Sequence, residues 1–302
     1  MKTFTIGKKK IVLKEEWMVG FITTWIVGLL AHAYRFFNFL PIWDSIYNFT
    51  GVGSTYTLGR WFLGYAGLIT SMFDLPWING AFSLFYISIV VILLTEMFEI
   101  KNKGMIVLCA AIFVSFPTVV SSFAYMYTAD AYLLAFLLAT LAVYLTWCVK
   151  KWGTIAGMVC LAFAMGIYQA YATVAIVLVL LYIIRQFVIE KLDFLEAVRK
   201  DLKYLGMLVG GAVLYAVILK ITLIRYNITL PGYQGIGALG IMSLGQYKAA
   251  LQKTLYHFRL ILGMEHGVEK RVYSILNASV LLLIGLIFIY LLIRNQVYKK
   301  KM

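Results

Sequence analysis

The stretch Trp61-Phe-Leu-Gly-Tyr-Ala-Gly-Leu-Ile-Thr-Ser-Met-Phe73 decides the fold, because it stands between a membrane span and a surface segment. At 1.5 Å rise per residue, about 13 helical residues reach only about 20 Å, short of the roughly 30 Å of a hydrocarbon core. Eight longer apolar runs surround it, at approximately Trp17–Tyr34, Trp77–Met97, Met105–Val120, Ala131–Val149, Thr154–Tyr168, Ala172–Val188, Leu205–Ile224 and Ile275–Ile293. Counting Trp61–Phe73 as a ninth span would move Lys101, Lys103, Lys150 and Lys151 to the side opposite Lys8, Lys9 and Lys10. Left out of the count, those lysines share one side with Arg199, Lys200, Lys203 and Lys299–Lys301, as the positive-inside rule requires. The expected topology has eight spans, both termini in the cytoplasm and Trp61–Phe73 as a helix in the outer interface.

Composition agrees with lipid as the solvent. Of 302 residues, 63% are hydrophobic and 13% charged, against about 45–50% apolar and about 25% charged in soluble domains. A soluble fold cannot hide that much apolar surface. The net charge of +14 punctuates the apolar runs and forms no patch, so topology accounts for it and nucleic acid is not an expected partner. Cys109, Cys148 and Cys160 lie in apolar runs without C-x-x-C spacing, and read as core filler. The lysines before Trp17 lead into a long apolar run lacking a small-residue cleavage site, which reads as a retained first helix.

The loops are unequal. The connections on the basic side are short, except for Arg185–Lys203, which reads as an amphipathic helix on the inner surface. Those on the other side include two long ones, about 35–76 and 225–274, and loops carry function more often than the scaffold does. In the first, Asp44 stands among aromatic residues, where a bare carboxylate is costly unless paired. It either faces a cavity or a cation, or caps a helix starting near Ser45. Gly51, Gly53 and Gly59 suit tight turns. Arg60 has the planar fork that binds phosphate, though snorkelling to the interface also fits it.

Three further outward clusters carry polar groups. Tyr125-Met-Tyr127-Thr-Ala-Asp130-Ala-Tyr132 places Asp130 at the start of a helix, where capping and the helix dipole stabilise a carboxylate. Tyr168-Gln169-Ala-Tyr171 is a tight turn whose amide needs a partner at membrane depth. Gly245–Leu262 has the period of an interfacial helix, with Lys248 and Lys253 suited to lipid head groups. Just beyond it, Glu265-His266-Gly-Val-Glu269-Lys270-Arg271 offers cations to a phosphate. His257 and His266 belong to no H-E-x-x-H pattern, and no nucleotide-binding glycine motif exists, so neither a metal nor a cofactor is expected.

Trp43-Asp44, Gly59-Arg60-Trp61, Asp130 opening an apolar helix and Tyr168-Gln169, in that order, resemble the bacterial type II glucosyltransferase family, which decorates cell-surface polysaccharides such as O-antigen. The resemblance runs to about Ala172, and beyond it lies in hydropathy more than in motif. It implies an all-α, polytopic, GT-C-like membrane glycosyltransferase of one domain spanning residues 1–302, with a polyprenyl-phosphate sugar as donor and a surface glycan as acceptor. It also implies Asp44 as general base or its partner, with Asp130 and Gln169 lining the same cavity. Many such proteins carry paired acids in the first loop, whereas Asp44 here is flanked by Trp43 and Ser45, which argues against a metal requirement. The expected site therefore comprises Asp44 and Asp130 as catalytic groups, with Arg60, Trp61, Tyr127, Tyr168, Gln169, His266, Lys270 and Arg271 binding substrate. The rival readings are a transporter or flippase of the same lipids, in which polar groups belong near the midplane, and a non-catalytic subunit of an envelope complex.

Overall fold

The computed structural model describes residues 2–6, 9–70, 73–190, 194–231, 243–261 and 268–294. The chain forms two compact units, Met1–Tyr182 with Lys200–Leu230, and Ile183–Arg199 with Pro231–Met302. The first opens with a hairpin of β1 (Lys2–Ile6) and β2 (Lys9–Leu13), antiparallel with Lys2 opposite Leu13. The hairpin precedes a chain that is otherwise helical, in keeping with the all-α class expected. Its Thr, Ile and Val residues favour extended backbone, a signal the lysine run obscured.

The rest of this unit is helical. α1 (Glu15–Phe37) has Glu15 and Glu16 in its first turn and Arg35 in its last, the charge order that suits a helix dipole. After the short α2 (Trp43–Ile46) and α3 (Leu63–Gly67) come α4 (Pro76–Met97), α5 (Lys103–Ser115), α6 (Pro117–Ser122), α7 (Met126–Cys148), α8 (Gly153–Ile167) and α9 (Ala172–Arg185). Pro76 opens α4 at a position where its missing N–H costs nothing. Asn102 caps α5 by accepting from the Met105 N–H at 3.1 Å. α7 packs against both α4 and α8, while α1 packs on α4 and α5. Buried Ala129, Ala131, Ala135, Ala139 and Ala142 on α7 let neighbouring backbones approach, which drives helix association in lipid. α10 (Phe194–Tyr226) is one 33-residue helix, so only the later part of the amphipathic segment expected at Arg185–Lys203 forms its first turns, whereas Arg185 ends α9 and Gln186–Glu190 is a turn of π-helix.

Four described helical runs are long and apolar enough to cross a membrane, by length and composition: Glu15–Phe37, Pro76–Met97, Lys103–Cys148 and Arg199–Tyr226. Gly153–Ile167, Gln169–Arg185 and Ala278–Leu291 are shorter apolar helices. The chain is a membrane protein. Two of the eight expected spans, Met105–Val120 and Ala131–Val149, fall within the single run Lys103–Cys148, which is interrupted at Phe116 and again at Phe123–Tyr125. Proline explains the first interruption. Pro117 drives Phe116 into an extended conformation, φ −62° and ψ 139°.

α1 supplies the groups that this broken run needs. His32, buried in α1, donates from Nε2 to the Val114 carbonyl at 2.8 Å. Its ring lies 4.7 Å from that of Phe123, which meets Phe36 edge-on at 5.0 Å. Arg35 donates from Nε to the Phe123 carbonyl at 2.9 Å and from Nη2 to the Ala124 carbonyl at 3.0 Å. Its Nη1 donates to the Leu40 carbonyl.

The decisive stretch is no span, and it is no continuous interfacial helix either. Trp61 and Phe62 form a turn, α3 follows, and Leu68–Thr70 is a turn of 3-10 helix. Trp61 and Leu63 are buried at 6% and 0% exposure, with α3 packed on α7 and α8. Gly64 and Gly67 lower helix propensity in so short a run, and burial of alternate side chains compensates. Cys148 is exposed and Cys109 and Cys160 are half-buried, so the cysteines are not the core filler the apolar runs suggested.

In the second unit, the helix expected at Gly245–Leu262 is α11 (Leu244–Ile261), with Tyr247, Leu251 and Leu255 exposed. α12 (Val268–Arg294) follows.

The His32 contact makes a testable demand. His32→Phe keeps a ring of similar shape but strands a buried carbonyl, at a cost of roughly 1–3 kcal/mol. A clear fall in the thermal midpoint of the purified protein is expected, with His32→Asn recovering part of it.

Candidate functional site

The site is built on the loop between α2 and α3. Tyr56–Leu58 form a 3-10 turn that ends at Gly59 in the left-handed region, φ 70°. A side chain there would be strained, and its Cβ would lie 2.7 Å from Gln169 Nε2 and 2.8 Å from the Tyr215 hydroxyl. Those two groups clamp the loop from above. Gln169 donates to the Leu58 carbonyl at 2.7 Å and to Tyr215 Oη at 2.9 Å, and Tyr215 donates to the Gly59 carbonyl at 3.0 Å. Tyr56 stacks on Tyr226 at 4.9 Å. The partner that the Gln169 amide required is thus the backbone of the loop before Arg60.

With the loop clamped, Arg60 is presented on an aromatic surface. Its guanidinium lies 4.6 Å from the centre of the Tyr168 ring, and Nη1 donates to the Tyr132 hydroxyl at 3.2 Å. Tyr132 and Tyr168 are themselves stacked at 5.2 Å. Among the described residues no carboxylate lies within ion-pair distance of Arg60, and its buried Nε has no hydrogen-bond partner. This is not a snorkelling cation. A half-buried guanidinium held by two phenols, with donors to spare, is suited to a phosphate.

Tyr127 is a further phenol of this neighbourhood. It is buried in the first turn of α7, and its phenol lies within electrostatic range of both Arg60 and Asp44. Gly53 beside it is also left-handed, at φ 80°. Asp44 is exposed within α2, whose N-cap is Ile42, so it does not cap a helix starting near Ser45. Trp61 faces away from solvent against Phe163 at 5.2 Å and under Gly166, its indole N–H buried without an acceptor. It shapes the floor under the loop.

Asp130 has a different setting. α7 begins at Met126, so Asp130 is not the N-cap that its sequence position suggested. It is 2% exposed and accepts from Asn79 Nδ2 at 2.9 Å and from Thr70 Oγ1 at 3.0 Å. Asn79 Oδ1 in turn accepts from the Leu75 N–H at 3.0 Å. Both ends of the segment joining α3 to α4 are tied to this one carboxylate. His266 lies outside the described residues, as do the side chains of Lys270 and Arg271, whose backbone belongs to the first turn of α12.

Sequence reasoning passed over three contributors. Tyr132 stands in the sequence only as part of the cluster around Asp130 and Tyr215 only inside an apolar run, and the cation and amide opposite them reveal their role. Asp74 is 8% exposed with a buried Oδ1 that has no hydrogen-bond partner, and its N–H donates to the Phe49 carbonyl at 3.2 Å. Its place directly before Leu75-Pro76, at the mouth of an apolar helix, was the available signal.

A helical membrane scaffold thus presents Arg60, with no carboxylate at ion-pair distance among the described residues, on a pair of stacked phenols. Residues 33–302 match the family described as Glucosyl transferase GtrII. The chain belongs to that family, and it is a glycosyltransferase with glucosyl transfer as its activity. Neither a curated protein nor a solved structure matches the chain.

Burial pushes the Asp74 carboxyl above its ordinary 3.8, with Arg35 pulling it partly back. A carboxyl raised on folding binds its proton more tightly in the native state, so ionising it costs stability as pH climbs from 3.8 through the raised native value. Asp74→Asn is therefore expected to melt higher than the native chain at pH 7.5. The gap should close as pH falls toward 4, which a pH series of melting curves checks.

Proposed function

We propose that this glucosyltransferase moves glucose from a polyprenyl phosphate to a hydroxyl of a surface glycan on the extracytoplasmic face, as a GT-C-type enzyme with eight spans and both termini in the cytoplasm. The observation that carries the reading is Arg60, a guanidinium with aromatic support and, among the described residues, no carboxylate at ion-pair distance. In this reading the acceptor hydroxyl attacks the anomeric carbon and gives its proton to Asp44. The bond from that carbon to the phosphate oxygen breaks, and the charge that grows on the departing phosphate meets Arg60. One displacement inverts the anomeric centre.

The other groups have supporting parts. Tyr168 and Tyr132 hold the guanidinium, Tyr127 stands within electrostatic range of acid and cation, and Gln169 fixes the loop that carries Arg60. Asp130 positions the segment between α3 and α4. Trp61 lies beneath the loop that carries Arg60. The partners are lipid, the lipid-linked donor and the glycan. No metal or other cofactor enters the mechanism, because the leaving phosphate is already stabilised by a protein cation.

Transfer from radiolabelled polyprenyl-phosphate glucose to surface glycan by the purified chain tests the reading, and no transfer from that donor would sink it. Asp44→Asn should lower the rate by about 10²- to 10⁴-fold with the fold intact, whereas Arg60→Gln should chiefly raise the donor KM. For the topology, a cysteine placed at Asn48 should react with a membrane-impermeant thiol reagent from outside whole cells, and one at Asn102 should not. The reverse pattern would overturn the orientation.

A further inference from the structure

α2 is a single helical turn that its surroundings hold in place. The Ser45 N–H donates to the Ile42 carbonyl at 3.0 Å and the Asn48 side chain donates from Nδ2 to the Asp44 carbonyl at 2.7 Å, while the Phe39 and Phe49 rings stack at 5.6 Å across the two ends of the turn. The Asp74 N–H fixes the Phe49 carbonyl at 3.2 Å. Ser45 is fully buried beneath the turn, so the helical step of about 100° per residue places Trp43 and Tyr47 on the far side. They are 72% and 71% exposed, and their rings meet at 5.5 Å with 64° between the planes. Asp44 and Asn48 fall on one flank of this pair, and Ile46, also exposed, on the other.

We infer that this turn seats the acceptor glycan, with Trp43 and Tyr47 as the platform for one of its pyranose rings, an inference that rests on the transfer to a surface glycan proposed above. A pyranose has an apolar face of C–H groups and a rim of hydroxyls. Stacked on the indole with the phenol closing one side, it turns part of that rim toward Asp44 and Asn48, whose side-chain oxygens accept hydrogen bonds. Two large rings with few rotatable bonds supply this contact at small entropic cost. A hydrocarbon chain could use the same rings, but it would strip water from the flanking carboxylate and give it no partner in return, which is costly. The arrangement therefore selects a polyhydroxylated ligand over an acyl chain. Its position adds a second reason. Asp44 is the group that takes the acceptor's proton in the proposed reaction, and the Tyr127 phenol lies within electrostatic range of both Asp44 and Arg60. A sugar seated on α2 thus lies next to the proposed base.

The test uses the full chain in nanodiscs and tritiated oligosaccharide repeats released from the surface glycan, titrated by equilibrium dialysis without any donor. Trp43→Ala and Tyr47→Ala should each weaken binding by on the order of ten-fold, as truncation of a well-placed aromatic contact does, and Trp43→Phe should recover part of the loss. The titration separates affinity from the number of folded sites, so a poorly folded fraction does not imitate the effect. Native affinity in both alanine variants overturns the inference, and a lowered melting midpoint beside that native affinity would make the rings a lipid anchor instead. Turnover supplies a second arm. With polyprenyl-phosphate glucose as donor, the alanine variants should raise the acceptor KM and leave the donor KM as it is, whereas a rise in the donor KM alone overturns the inference. The dialysis needs neither donor nor turnover, so it decides the matter even if no transfer from that donor is found and the donor reading falls.

Discussion

Inside a bilayer every backbone carbonyl and N–H must find its partner within the protein, and this chain interrupts its central helical run where that rule is most demanding. The Phe116-Pro117 break and the 3-10 turn at Phe123–Tyr125 remove carbonyls from the helical ladder. His32 and Arg35 on α1 answer with donors. A histidine and an arginine in an apolar helix look like functional groups by default. Here their contacts are to backbone, and they make the irregular segment tolerable. The edge-on Phe36–Phe123 pair excludes lipid from those bonds, so the polar and apolar parts of the brace act together.

The same economy governs the loop that carries Arg60. Its backbone is irregular, and its carbonyls at Leu58 and Gly59 are met by the Gln169 amide and the Tyr215 hydroxyl. Further along, Asp130 ties down Thr70 and Asn79. Two polar networks thus bracket one buried helical turn, α3. Among the described residues the guanidinium that projects from this frame has no carboxylate at ion-pair distance, whereas Lys14 pairs with Glu96 at 2.7 Å and Lys103 with Glu15 at 2.5 Å. The contrast between satisfied and unsatisfied cations is what distinguishes a structural charge from a candidate ligand site.

Much of this was legible in the sequence, and the failures have physical causes. Long uniform apolar runs gave α1 and α4 to within a few residues, because nothing competes with helix formation there. The break at Phe116 was missed inside a run that hydropathy alone makes continuous, although Pro117 announced it. Asp44 and Asp130 both looked like caps, since a carboxylate near a helix start usually is one. In each case the helix begins earlier than hydropathy suggests, because Trp43 and Met126 already adopt helical backbone. Arg60 and Gln169 could be singled out by residue type and depth, but their partners could not. Those partners lie far along the chain, on elements that only the fold brings together. Membership of the glucosyltransferase family was readable from Trp43-Asp44, Gly59-Arg60-Trp61 and Tyr168-Gln169, and the family match spans residues 33–302.

The clamp on the Arg60 loop also bears on how the chain is made. Leu58 is separated by 111 positions from Gln169, and Gly59 by 156 from Tyr215, so these contacts close very late relative to the residues they hold. Synthesis delivers a chain N-terminus first, and α1, α4 and α5 can assemble around their own brace while the loop still waits for its clasps. The reactive-looking arginine is consequently the last part of its neighbourhood to be set, after the ribosome has passed Tyr215. A product ending before Tyr215 would carry the packing of α1, α4 and α5 with the Arg60 loop still unfastened.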